Sequence, residues 1–368
     1  MNGAIEPFRI HVDEADLDDL RRRLAQTRLP DQLDDAGWDY GIPVDYVREL
    51  VAYWRDEYDW RAHEARLNEL PQFRTEIDGQ PIHFVHVRSA RAGAFPLLLM
   101  HGWPGAFTEF LDVLPHLTDT FDVIVPSLPG YGFSGPTRAR GWDVARIARA
   151  FTELMHRLGY ERYGAQGGDW GAQIATRIGA LDPEHCAAIH LNMPIAERPD
   201  ESITLSGEDK ADLAAMAHFQ REESGYALEQ STKPQTVGIA LGDSPAALLA
   251  WMMEKFRAWS DCDGHPENAF TRDQLLTIVS TYWFTETAAS AARLYWEHKN
   301  SDEAAGFVAV PTGVARYPKE VLRFPRAWVE RRYNVTHWVD MPRGGHFAAM
   351  EQPALFAADV ETFFRSVR

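Results

Sequence analysis

Asp169 stands in Gly167-Gly168-Asp169-Trp170-Gly171, a spacing that would present a nucleophile on a tight strand-to-helix turn, with a carboxylate where such turns usually carry serine. Flanking glycines suit that turn because side chains there would collide with the backbone. Serine is fitted to acyl transfer; at saturated carbon it would end as an inert ether. A carboxylate attacking saturated carbon leaves an alkyl ester, which water can cleave at the enzyme's own carbonyl. An ordinary Asp, with a pKa of about 3.9, is already ionised at neutral pH and needs no base for that first step. The chemistry indicated is displacement at sp3 carbon, either epoxide opening or carbon–halogen cleavage.

Such a nucleophile needs an oxyanion hole, a base and an acid that orients the base. His101-Gly102-Trp103-Pro104 follows an apolar run upstream of Asp169, so the backbone N–H groups of Trp103 and Trp170 are the expected hole. His346, in Arg343-Gly344-Gly345-His346-Phe347, lies between the last strand and the last helix and is the candidate base. His11, His83 and His86 precede the nucleophile strand, and His337 lies inside one. Two acids compete. Glu320 follows the penultimate strand, the usual place for this acid, whereas Asp340 ends its own strand; the order favours Glu320.

The elements that must position these groups read as an alternation. Residues 1–72 are helices and loops: Asp13 is the expected N-cap for Leu17, Leu20 and Leu24, and residues 44–60 place Val47, Leu50, Val51 and Trp54 on one helical face. Residues 73–77 and 82–87 form a predicted hairpin about Asp78-Gly79. The short apolar runs 97–100 and 123–125 predict buried parallel strands, separated and followed by helices over 107–117 and 144–158. Strands follow at 162–165, 187–191, 307–311 and 336–340, eight in all, with helices over 172–178 and 354–364. Residues 195–300 are mostly helical and rich in Trp and Tyr, the place of a lid after the sixth strand. The expected division is therefore 1–72, a core of 73–194 with 301–368, and a lid of 195–300.

Length and composition agree with a hydrolase-sized α/β core: 368 residues, 45% of them hydrophobic. A formal charge of −17 argues against nucleic acid or an anionic membrane surface as partner. Two cysteines, Cys186 and Cys262, give neither a disulfide framework nor a thiolate metal site. The start lacks a basic and an apolar region, and no apolar run of 18 residues follows, so a cytoplasmic protein without a membrane anchor is expected.

The chain resembles the microsomal-type epoxide hydrolases of the α/β-hydrolase superfamily nearly end to end. The likeness is carried by Pro7-Phe8-Arg9-Ile10, Arg28-Leu29-Pro30, the HGWPG of 101–105, the GGDWG of 167–171, Thr232-Lys233-Pro234-Gln235-Thr236-Val237-Gly238, and RGGHFAAMEQP at 343–353. It implies an α/β-hydrolase core with a mostly parallel eight-stranded sheet, a helical lid and an N-terminal meander. It also implies a vicinal diol formed through an Asp169 ester, with no metal or organic cofactor. The family's acid falls on Glu320, and its two lid tyrosines fall on Tyr226 and Tyr295. By sequence alone Tyr282 and Tyr317 are their rivals. Rival activities are a haloalkane dehalogenase, which would need N–H donors for halide, and a non-catalytic small-molecule receptor on the same fold. Trp251, Trp259, Trp283 and Trp296 suit a bulky or aromatic epoxide. The expected partners are that epoxide and water, with a homodimer and a detoxifying or biosynthetic role left open.

Overall fold

The computed structural model describes residues 3–199, 203–301 and 306–367. Its strands are β1 (Glu6–Pro7), β2 (Gln72–Ile77), β3 (Gln80–Val87), β4 (Phe95–Met100), β5 (Phe121–Pro126), β6 (Tyr163–Gly167), β7 (Cys186–Leu191), β8 (Val308–Arg316) and β9 (Tyr333–Asp340). They form one sheet in the order β1-β2-β3-β5-β4-β6-β7-β8-β9. The pairings from β5 through β9 are parallel, and those joining β1, β2, β3 and β5 are antiparallel. Leu97, Leu98, Leu99, Met100, Val123 and Ile124 are fully buried, as strands covered on both faces require. The hairpin turns at Asp78 and Gly79, both with positive φ, the geometry that two-residue hairpin loops favour.

The sheet has nine strands where eight were expected. The added one, β1, is two exposed residues paired with Phe73 and Arg74, too short to carry any alternation. The helix predicted over 107–117 is also corrected: a 3-10 turn at Phe107–Phe110 is followed by a separate helix, Leu114–Leu117. Pro115 sits in the first turn of that helix, where its missing N–H is harmless, and it cannot continue a helix arriving from upstream. The segment 44–60 ends early at Val44–Asp56, and a new helix, Trp60–Leu67, starts where the Asp59 carboxylate accepts from Arg61 N–H at 2.9 Å. Asp13 holds the N-cap position of Glu14–Ala25 without capping through its side chain, which meets His11 at 3.4 Å instead.

Between β7 and β8 run the helices Gly207–His218, Gly225–Thr232, Pro234–Asp243, Pro245–Trp259, Arg272–Phe284 and Ala288–Lys299. Capping boxes start two of them, Ser206 with Asp209 and Thr271 with Gln274. The N-terminal helices clasp this group: Trp54 Nε1 donates to Ser280 Oγ at 3.1 Å, and the Tyr53 hydroxyl to Asp273 at 2.8 Å. Residues 302–305, beside the expected lid–core boundary, lie outside the described residues. Among the described residues no single helix is long and apolar enough to cross a membrane.

Candidate active site

β6 ends at Gly167, and the helix Asp169–Leu181 begins two residues later with Asp169 at φ +48°. A non-glycine residue held there stores strain of order 1–3 kcal/mol, so the surroundings must enforce it. They do so by close approach. A Cβ on Gly167 would lie 2.2 Å from the backbone of Gly171, and one on Gly171 would lie 2.1 Å from the Met100 carbonyl oxygen.

Trp103 N–H donates to Asp169 Oδ1 at 2.8 Å. His101 braces that loop: its Nε2 accepts from Leu128 N–H at 3.2 Å, which leaves the proton on Nδ1 to bond the Gly102 carbonyl at 3.0 Å. Burial pushes His101 down to about 4, so it is neutral and structural. Trp170, the second expected donor, lies in the first helical turn, where N–H groups have no acceptor within the helix. Among the described residues no hydrogen bond joins its N–H to the resting carboxylate.

His346 Nε2 lies 3.4 Å from Asp169 Oδ2, and its Nδ1 lies 2.8 Å from Glu320 Oε1. The imidazole and both carboxylates are buried or nearly so. Burial disfavours the imidazolium, but the charge of Glu320 and the bonds to Asp169 and Glu320 outweigh it and hold His346 well above its ordinary range. Asp340 does not join them; it pairs with Arg316 at 2.8 Å, and its side chain is 63% exposed.

The loop carrying His346 is fastened to the end of the helix Pro245–Trp259, an attachment that the sequence reading missed. His346 N–H donates to the Trp259 carbonyl at 2.9 Å, and Gly344 N–H to Asp261 Oδ2 at 2.9 Å. Glu351 accepts from Phe347 N–H at 3.0 Å and from Asp261 N–H at 2.7 Å. Burial pushes Glu351 up to about 7, with those backbone donors opposing. The one signal for it was an acid five residues after His346 in an otherwise apolar stretch.

Tyr226 and Tyr295 converge on the same place from different helices between β7 and β8, Gly225–Thr232 and Ala288–Lys299. The Tyr226 ring stacks on Trp103 at 5.0 Å and 9°, Tyr295 stands edge-on to Trp170 at 4.7 Å, and the two phenols' rings are 6.0 Å apart. Burial, with the Asp169 charge adding, raises both phenols above their ordinary range and keeps them protonated. Tyr282 is engaged elsewhere, its hydroxyl donating to the Gly105 carbonyl at 2.7 Å. Tyr317 is fully buried beside the Glu320 segment, with a hydroxyl that has no partner among the described residues. Of the four lid tryptophans, Trp259 joins the ring cluster, 5.1 Å from Tyr226 and 5.0 Å from His346. Trp251 bonds Gln230, and Trp283 faces Arg23.

Among the described residues one group of histidines and acids could share a cation, His156, Asp182 and His185. It sits past the far end of the helix that Asp169 starts, and Asp182 already bonds His185 and Tyr163.

The profile of the epoxide hydrolase N terminus matches residues 5–110, and that of the alpha/beta hydrolase fold matches residues 96–241. A protein of Stigmatella aurantiaca (strain DW4/3-1) is 48% identical over 99% of this chain and 86% of its own. Epoxide hydrolase 1 of Sus scrofa is 40% identical over 98% of this chain and 88% of its own. The crystal structure of juvenile hormone epoxide hydrolase from the silkworm Bombyx mori matches with a TM-score of 0.93 at 33% identity, covering 100% of this chain and 95% of that one. With relatives aligned over most of their own length and two matching family profiles, the chain belongs to the epoxide hydrolase family of the α/β-hydrolase superfamily, as an enzyme that hydrolyses epoxides.

Proposed function

We propose that the epoxide is opened in two covalent half-reactions centred on Asp169. Oδ1, bonded by Trp103 N–H at 2.8 Å, stays in the hole while Oδ2 attacks a ring carbon. The epoxide oxygen develops alkoxide character, and the phenols of Tyr226 and Tyr295 bond it and supply its proton. The ester carbonyl is then polarised by the N–H groups of Trp103 and Trp170. Forming the ester removes the negative charge that helps keep His346 protonated, so His346 gives up its proton, which restores the phenol that protonated the epoxide oxygen, and becomes a base when one is needed. It takes a proton from water, Glu320 steadies the imidazolium, and collapse of the tetrahedral adduct releases the diol.

The observation that carries this reading is the line Glu320–His346–Asp169, at 2.8 and 3.4 Å, with the Trp103 donor on the opposite carboxylate oxygen. The rings of Trp103, Tyr226, Trp259 and Tyr295 around it favour a bulky apolar or aromatic epoxide. Both cysteines are buried and free, in keeping with a cytoplasmic enzyme. A single turnover in heavy-oxygen water should label Asp169, and His346→Gln should accumulate protein carrying the mass of one epoxide. Label confined to the diol, with no adduct in that variant, would overturn the covalent route.

A further inference from the structure

One buried acid beside Asp169 has no task in the scheme above. Glu109 lies in the 3-10 turn Phe107–Phe110 and folds back over the HGWPG loop. A Cβ on Gly105 would fall 1.3 Å from Glu109 Oε1, so only glycine at 105 leaves room for the carboxyl. Glu109, Trp103, Gln166, Asp169, Asn192 and His346 line a common cavity of about 20 Å³. That exceeds the roughly 10–15 Å³ a single water needs. Gln166 is fully buried, its Nε2 donates to Asn192, and its Oε1 has no hydrogen-bond partner among the described residues. An acceptor left open in a polar cavity of this size is what a resident water satisfies.

Resting on the covalent reading, we propose that Glu109 positions the water that hydrolyses the Asp169 ester, with Gln166 as a further anchor. The water oxygen forms a bond to the ester carbonyl carbon of Asp169 and passes one proton to His346 Nε2. Its other hydrogen stays on that oxygen and bonds to the carboxyl of Glu109. The adduct then breaks its bond to the alkyl oxygen, which takes the proton from His346 and leaves as the diol; the acid proton left on Asp169 passes to His346, restoring the carboxylate and the imidazolium.

The groups facing Glu109 are Asp169 from the helix after β6, His346 from the loop after β9, His101 from the end of β4 and Tyr282 from the lid. Burial pushes Glu109 up to about 8, with His346 opposing and Asp169 adding. A neutral carboxyl can both accept from water and avoid repelling Asp169.

The test is rapid-quench mass spectrometry of the full chain with styrene oxide, comparing the unmodified enzyme, Glu109→Gln and His346→Gln. Glu109→Gln should form the ester within about threefold of the unmodified rate and lose it at least tenfold more slowly, so that ester accumulates. Its melting temperature should be no lower, since an isosteric neutral amide replaces a buried acid. Ester decay at the unmodified rate, or equal slowing of both half-reactions, overturns the role of Glu109 while leaving the covalent route intact. Absence of ester in all three proteins, His346→Gln included, overturns the covalent route and this role with it.

Discussion

Asp340 lies 2.8 Å from Nη1 of Arg316, a guanidinium that also meets Glu208 and Asp212. Those contacts face solvent and the lid's first helix, leaving Glu320 as the acid at His346. Asp340→Asn should therefore keep kcat/KM for styrene oxide within about twofold and change stability by less than about 1 kcal/mol. Glu320→Gln, which removes the charge at Nδ1, should lower kcat by about 10² to 10⁴. Steady-state kinetics on the pair decides between them; comparable losses would reinstate Asp340.

In the proposed ring opening, Tyr226→Phe and Tyr295→Phe each delete one phenol at the developing alkoxide. Each should slow ester formation by about 10² to 10³, and the double variant should form no measurable ester. Tyr282→Phe should slow it less than tenfold, since its hydroxyl holds the Gly105 carbonyl instead. Rapid-quench ester formation rates check all three.

Glu351 gives a pH dependence to stability. Its folded value of about 7 exceeds the ordinary 4.5, so between those pH values the folded protein keeps a proton that the unfolded chain has released. Stability must fall as pH rises through that window, by roughly 3 kcal/mol at 1.36 kcal/mol per unit. Glu109 acts with the same sign and remains in a Glu351→Gln variant. Urea unfolding at pH 5 and 7.5 should show a smaller loss in the variant than in the unmodified enzyme; equal losses would contradict the assignment.

Asp359 sits between two histidines of the sheet, accepting from His190 at 2.9 Å and His337 at 2.8 Å. Burial alone would raise this carboxyl, but the bonds and charges of His190 and then His337 outweigh it and hold it below its ordinary range. Its stabilisation is present above the unfolded carboxylate pKa and is lost as pH falls through the folded one. Asp359→Asn should cost roughly 2–4 kcal/mol in urea unfolding while leaving kcat within about twofold.

The parts of this enzyme that are legible in sequence are those whose cause is local. The GGDWG glycines face one another across a single turn, and the apolar run Leu97 to Met100 declares its burial by composition. The apolar spacing of Phe107, Phe110, Leu111, Leu114 and Leu117 is equally local, yet it misled, because Pro115 cuts the helix that the spacing describes. Contacts between distant segments left no such trace. Nothing near Glu351 in sequence points to Asp261, 90 residues away, and nothing near Glu109 points to a cavity shared with His346. The strand at Glu6 and Pro7 exists only because Phe73 and Arg74 offer it an edge.

The attachment of His346 to Trp259 and Asp261 makes the lid an interlock rather than a door. Swinging out the helix that ends at Trp259 would break the backbone bond to His346 and draw the base away from Asp169. On the proposed covalent route an open enzyme is thus a disarmed one, unable to hydrolyse an ester it already carries. Redesign of the helices between β7 and β8 for new epoxides has to keep Tyr226 and Tyr295 and the short stretch from Trp259 to Asp261 in place.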